Sequence, residues 1–329
     1  MIKKKAYITF FTTLIICQTI VILLLLIRFY KLTNKTIYSI EPINKENIVF
    51  SPNGNLRYFY EPKANSTEKI FGPLNGVDTN TFNLDTLNEK EDYVILKPKD
   101  TYRIITLGDS FTYGAFVSNQ ANWPKKLEYL LNSSYTCSNF RKIEVINLGV
   151  YGYDLQYEIE RFKKRGIKYS PDLIVWFLKD NNIDRVNELM IPTHDQMVNK
   201  LTTDTRFIKK NINTEPPLAW EKTVEEISKN YGRAGILSIQ KKILNDFNNY
   251  YQGKLFIFTF PTTKEGNKNL IKDFALLRNN TYYFDQITNI YSNRDKYVLN
   301  DGHPNEGGYK VIAEDLFKYL TEKKIIPCN

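Results

Sequence analysis

The stretch Arg103–Gly114, RIITLGDSFTYG, runs a short apolar segment into Gly-Asp-Ser and then adds a second hydroxyl, an aromatic residue and a glycine. An apolar run without alternation, ended by glycine, reads as a strand buried on both faces. Glycine and polar residues also make an ordinary turn, so the segment has two readings. Either Gly108–Ser110 only reverses the chain, or Ser110 is presented for chemistry where a strand ends. The choice depends on what the other strands carry at the same edge.

Three further runs share this character: KIEVI (142–146), LIVWFL (173–178) and KLFIFTF (254–260). Helical patterns separate them: NWPKKLEYLLNSS (122–134), DLQYEIERFKKRGIKY (154–169) and a long one from about Leu218 to Tyr250. NEGGYKVIAEDLFKYLTEK (305–323) closes the series as a last helix. Unalternated strands joined by helices imply an α/β domain with a doubly wound parallel sheet covered on both faces, a three-layer arrangement. Sites in such sheets lie at the carboxyl ends of the strands. The domain is expected over residues 101–325, with a polar, irregular insertion at about 184–215. Residues 29–100 carry short β-branched and aromatic runs between Pro, Asn and Gly, and read as a stalk and an extension packed on the domain.

From Ala6 to Ile27 no residue is charged, a length that matches the roughly 30 Å of hydrocarbon a helix must cross. Residues 6–28 therefore read as a transmembrane anchor, with no small-residue cleavage site after Leu23–Ile27. Lys3, Lys4 and Lys5 place positive charge before the span, so residues 1–5 are expected in the cytoplasm and the C-terminal body outside the membrane. The net charge of +9 comes from lysines scattered among acidic residues. That distribution suits a solvated surface, or attraction to anionic lipid or glycan, and gives no support to a nucleic-acid partner. Cys17 lies within the span. Cys137 and Cys328 either pair in an oxidising compartment or remain free thiols.

Four polar clusters stand where the strands end or the last helix begins: GDSFTYG (108–114), NLGVYGYD (147–154), the end of PDLIVWFLKDNN (171–182) and LNDGHPNEGGY (299–309). In this order the set resembles the SGNH (GDSL-type) hydrolase superfamily from about Tyr102 to Leu320. The anchor and the lead-in KPKDTYRIITLGDSFTYG resemble its membrane-tethered bacterial members. The resemblance implies a flavodoxin-like three-layer fold, Ser110 as nucleophile and His303 as its base. A serine hydroxyl needs an adjacent base to attack at neutral pH. His194, the other histidine, lies in MIPTHDQM and reads as a surface residue. Many members carry an acid three residues before the histidine, where this chain has Asn300. Asp301, two before, is assigned to orient His303, with a backbone carbonyl as the alternative. The oxyanion donors implied are the backbone N–H groups of Ser110 and Gly152 and the side chain of Asn181, with Asn182 as the alternative. Asp109 is expected to shape the strand exit, and Thr112 and Tyr113 to start a helix and form a wall.

Rival chemistries lack their residues: there is no G-x-S-x-G elbow, no phosphate-binding glycine loop and no Cys/His cluster. The expectation is a membrane-anchored serine esterase with no metal or organic cofactor. It hydrolyses or transfers acyl esters, with an O-acylated envelope glycan or a lipid ester as substrate. A second reading is a degenerate SGNH domain that only binds glycan during envelope assembly.

Overall fold

Valine, isoleucine and aromatic residues favour extended backbone, and runs of them without alternation can be buried only in the middle layer of a sandwich. A computed structural model describes residues 18–25, 48–50, 55–71, 77–135, 137–203 and 218–328. The chain divides into two units, Met1–Pro42 and Ile43–Asn329. In the first, residues 18–25 are helical (α1) and expose Leu23, Leu24 and Leu25. The rest of the expected anchor over 6–28, and residues 1–5, lie outside the described residues. Among the described residues no helix is long and apolar enough to cross a membrane.

In the second unit, β1 (Ile48–Phe50) pairs antiparallel with β2 (Tyr60–Pro62), and β3 (Ser66–Phe71) with β4 (Val77–Phe82). The main sheet holds β5 (Thr101–Leu107), β6 (Lys142–Asn147), β7 (Leu173–Phe177), β8 (Leu255–Phe258) and β9 (Thr281–Phe284). Its order is β6-β5-β7-β8-β9 and every pairing is parallel. Chain order reverses at β5, which places the topological switch point at the strand that leads to Ser110. Helices α2 (Ser110–Tyr113), α3 (Trp123–Ser133), α4 (Leu155–Arg161), α5 (Asp180–Asp184) and α6 (Asn187–Thr203) follow these strands. They are succeeded by α7 (Ala219–Tyr250), α8 (Glu265–Leu276), α9 (Arg294–Tyr297) and α10 (Glu306–Glu322).

Alternate strand residues feed two cores. Ile104, Val145, Val175 and Phe256 pack with Leu127 and Leu131 of α3 and Ile312 and Leu316 of α10. Ile105, Ile146, Ile174 and Ile257 pack on the other face with Leu155 of α4, Phe247 of α7 and Phe274 of α8. Burial on both faces explains why the strands read as unbroken apolar runs. Strand β9 is the exception: TYYF is an edge strand with partly exposed side chains, and neither it nor α8 was expected from the pattern.

The extension before β5 is fastened to the domain by buried charge. Glu61 of β2 receives hydrogen bonds from Arg161 and Arg165, and Asp85 receives them from Arg165, Lys168 and Tyr169. Arg103, fully buried in β5, binds Glu144 and the carbonyls of Val94, Ile95 and Tyr169. These contacts hold the described residues from Glu61 to Ile95 against the sheet domain.

The expected irregular insertion at 184–215 is helical as far as Thr203, and residues 204–217 lie outside the described set. Val186 and Met190, one helical turn apart, pack against Ile227 and Ile236 of α7. Polar residues and Pro192 hide that period in the sequence.

Cys137 and Cys328 form a disulfide across 191 residues, which decides between the two alternatives for these thiols. Reducing it is expected to lower unfolding stability by about 2–4 kcal/mol. Urea titration with and without reductant reads this directly, and Cys137→Ser should be insensitive to reductant.

Burial raises the Glu61 carboxyl, but hydrogen bonds from Arg165 and the charge of Arg161 outweigh it and hold the group down from 4.5 to about 2. A depressed folded value means stability present above pH 4.5 and lost as pH falls through 2, roughly 3 kcal/mol in all. Glu61→Gln should be less stable at pH 7 and should flatten the acid limb of stability between pH 4.5 and 2. An unchanged acid limb in urea unfolding would remove Glu61 as its source.

Candidate active site

Ser110 occupies the first position of α2, immediately after β5. The Asp109 carboxylate accepts the Phe111 N–H at 3.0 Å and so caps the turn that carries Ser110. This is the shaping role expected of Asp109. Thr112 donates its hydroxyl to the Leu107 carbonyl at 3.3 Å. Tyr113 donates to Glu68 of β3 at 2.5 Å and is buried, which ties the wall of the site to the extension.

His303 lies across from Ser110 in the loop before α10. Its Nε2 is 2.8 Å from Ser110 Oγ, and its Nδ1 is 2.7 Å from Asp301 Oδ2. The other Asp301 oxygen accepts the His303 backbone N–H at 3.1 Å. With Nδ1–H donated to the carboxylate, Nε2 is free to accept the Ser110 hydroxyl proton. The loop is fixed by Leu299 N–H donating to the His303 carbonyl at 2.7 Å and by Tyr291 hydroxyl donating to the Gly302 carbonyl at 3.0 Å. Asn305 then caps α10, which packs on α3. Burial alone would raise the Asp301 carboxyl; the hydrogen bond and charge of His303 prevail and hold it below its ordinary value. The His303 ring is surrounded by Phe111, Phe116 and Tyr151, with ring centres 5.0, 5.4 and 6.2 Å away.

The loop after β6 supplies the opposite side. Asn147 donates its amide to the Thr112 carbonyl at 2.9 Å and accepts the Gly149 N–H at 2.9 Å. A Cβ on Gly149 would stand 2.3 Å from the Tyr113 nitrogen, so the two loops approach more closely than any side chain permits. Gly152 has φ +71°, which favours glycine, and its carbonyl accepts from Asn187 at 2.9 Å. Among the described residues, neither the Ser110 N–H nor the Gly152 N–H donates to another protein group. Both can serve an incoming oxygen.

The asparagines after β7 separate. Asn181 is exposed in the first turn of α5, and among the described residues no hydrogen bond joins it to Ser110 or His303. Asn182, its alternative, is fully buried and committed elsewhere. Asn182 accepts the Lys179 N–H at 2.9 Å and donates to Glu158 at 2.5 Å and the Tyr153 carbonyl at 3.4 Å. Asn182 is therefore corrected to a packing residue. Glu158, which also accepts from Trp176 at 2.6 Å, is pushed well up by burial. His194 sits half-buried on α6, its ring centre 5.6 Å from that of Trp220, and does not join Ser110.

Lys179 was missed by the sequence reading. Its ammonium lies 3.1 Å from Asp109 Oδ2 and 3.4 Å from the centre of the Phe111 ring, gripping the residues on either side of Ser110. Burial lowers its pKa against the pull of Asp109. The available signal was a lysine placed directly at the end of a fully buried strand.

No protein-family model matches the chain, and no curated protein matches it. Solved structures similar to it include a two-domain esterase active on acetylated mannans (13% identity, TM-score 0.41, 69% of this chain and 50% of that one). Others are a lipase/acylhydrolase from Enterococcus faecalis (14%, 0.40, 68% and 96%) and a Clostridium thermocellum family 3 carbohydrate esterase (16%, 0.37, 68% and 96%). The chain spans about half the length of the two-domain esterase. These likenesses are of fold, an α/β domain with a parallel sheet.

Gly149→Ala should push α2 away from the loop after β6. Destabilisation of about 1–3 kcal/mol is expected from this overpacking. Thermal unfolding of the variant checks it, and wild-type stability would show that the loops can part without cost.

Proposed function

We propose that the protein is a serine esterase of SGNH type, cleaving an acyl ester by hydrolysis or by transfer to another hydroxyl. The observation that carries this reading is the continuous hydrogen-bonded chain Asp301–His303–Ser110 at the carboxyl edge of the parallel sheet. Ser110 Oγ attacks the acyl carbonyl carbon while its proton passes to His303 Nε2. Asp301 holds the ring by Nδ1 and stabilises the imidazolium. Negative charge develops on the carbonyl oxygen, toward which the N–H groups of Ser110 and Gly152 are free to donate. A fixed donor of this kind contributes on the order of 3 kcal/mol. Collapse of the intermediate breaks the ester C–O bond, and the leaving alkoxide takes the proton from Nε2. Water or a second alcohol then repeats the sequence to release the acyl group, so protein groups alone perform both halves.

The substrate class we propose is an O-acylated envelope glycan or a lipid ester. Residues 6–28 would hold the body at the outer side of a membrane, with residues 1–5 in the cytoplasm. The uncharged run from Ala6 to Ile27, the preceding lysines and the Cys137–Cys328 disulfide support that placement.

Hydrolysis of p-nitrophenyl acetate should fall by at least about 10³-fold in Ser110→Ala. A fluorophosphonate probe should label the wild type at Ser110. Equal rates in the two proteins would exclude Ser110 as nucleophile. An unlabelled wild type that still binds acetylated oligosaccharide would favour the glycan-binding scaffold instead.

A further inference from the structure

Helix α5 bridges the two loops of the site. Just before it, Lys179 reaches Asp109, and beyond its end Asn187 holds the Gly152 carbonyl. Arg185 stands between them, at the C-terminal cap of α5. Its guanidinium is half-buried and lies 5.0 Å from the centre of the Trp220 ring. Among the described residues it makes no hydrogen bond and no ion pair.

The nearby carboxylates are all engaged elsewhere. Asp184 pairs with Arg233 and Lys264 and accepts from Asn267. Asp154 accepts the backbone N–H groups of Tyr157 and Asn187. Glu188 accepts those of Arg57 and Tyr58 together with the Tyr157 hydroxyl. Asp109 is taken by Phe111 and Lys179. Burial lowers the Arg185 pKa, with Asp109 the first of the charges opposing it. A guanidinium carries five donors in a planar fork that suits carboxylate and phosphate. A cation drawn from water without an acceptor is unfavourable, and here the aromatic face of Trp220 only partly compensates it.

We infer that Arg185, braced on Trp220, is a subsite for an oxyanion carried by the acylated substrate, a carboxylate or a phosphate. The substrate is then an anionic polymer, such as a uronate-containing glycan or a polyol phosphate, whose ester reaches Ser110 while its charge docks on Arg185. This rests on the esterase reading for the identity of the substrate, but its test does not require ester cleavage.

The test is calorimetric titration of the full-length Ser110→Ala protein with D-glucuronate, glycerol 3-phosphate and, as neutral control, D-glucose. One or both anions should bind more tightly than glucose, with affinity falling as salt is raised. Glucuronate alone identifies a carboxylate site, glycerol phosphate alone a phosphate site, and both a general oxyanion site. Adding Arg185→Gln should weaken anion binding about 10-fold or more, because a charge-assisted contact is lost. Arg185→Lys, which keeps the charge without the fork, should fall between. Circular dichroism establishes that each variant is folded. Anions binding no better than glucose would overturn the proposal, as would undiminished anion binding by folded Arg185→Gln. Neither result touches the esterase reading, which stands or falls on probe labelling of Ser110.

Discussion

Burial of β5, β6 and β7 on both faces admits a polar side chain within them only where it finds a partner, as Arg103 does with Glu144, and sends the other polar groups to the strand ends. Everything chemical in this chain follows from that constraint. The side chains of Ile104 and Ile105 enter opposite cores, so the first hydrophilic residues after β5 must emerge at the edge. The parallel register brings the exits of β6 and β7 to the same edge. The exits are then locked: Asn147 satisfies the Thr112 carbonyl, and Gly149 gives up its side-chain volume so that the chain at Tyr113 can approach. Ser110 sits in a turn that cannot shift without breaking those contacts.

The same constraint explains what was legible in sequence. Strands buried on both faces announce themselves as apolar runs, and the polar words after them announce the site. Ser110 follows such a strand, while His303 and Asp301, in the loop before α10, could be singled out only through the family resemblance of the four polar clusters. Edge strand β9 escaped because TYYF is half-exposed and breaks no pattern. Helix α6 escaped because Met190, together with Val186 just before its start, is buried amid polar residues, and their packing partners lie some forty residues away in α7. Asn181 and Asn182 could not be separated by counting, since which of two adjacent residues faces inward depends on where the helical turn begins. The buried Glu158–Asn182 bond settles that, and no local signal carries it.

The spacing of Asp301 to His303 also becomes intelligible. An acid two residues before the histidine can use both oxygens on the same residue, one on the backbone N–H and one on Nδ1. The first bond closes the turn and the second orients the ring, so the loop that positions the base is also the loop that holds its tautomer. No backbone carbonyl is needed for this, and Asn300 is free of the task.

Charge around the nucleophile follows a consistent sign. Asp109 is the anion nearest Ser110 in sequence, yet Lys179, just after β7, pairs with it, and Arg185 adds a second cation from the same connection. A serine whose attack creates a negative oxygen would be hindered by an uncompensated carboxylate one residue away. Pairing Asp109 with the Lys179 ammonium opposes its charge while leaving its capping hydrogen bond to Phe111 in place. The short helix α5 therefore does more than connect β7 to the rest of the chain. It places two positive side chains, Lys179 just before it and Arg185 at its C-terminal cap, half-buried beside the strand end.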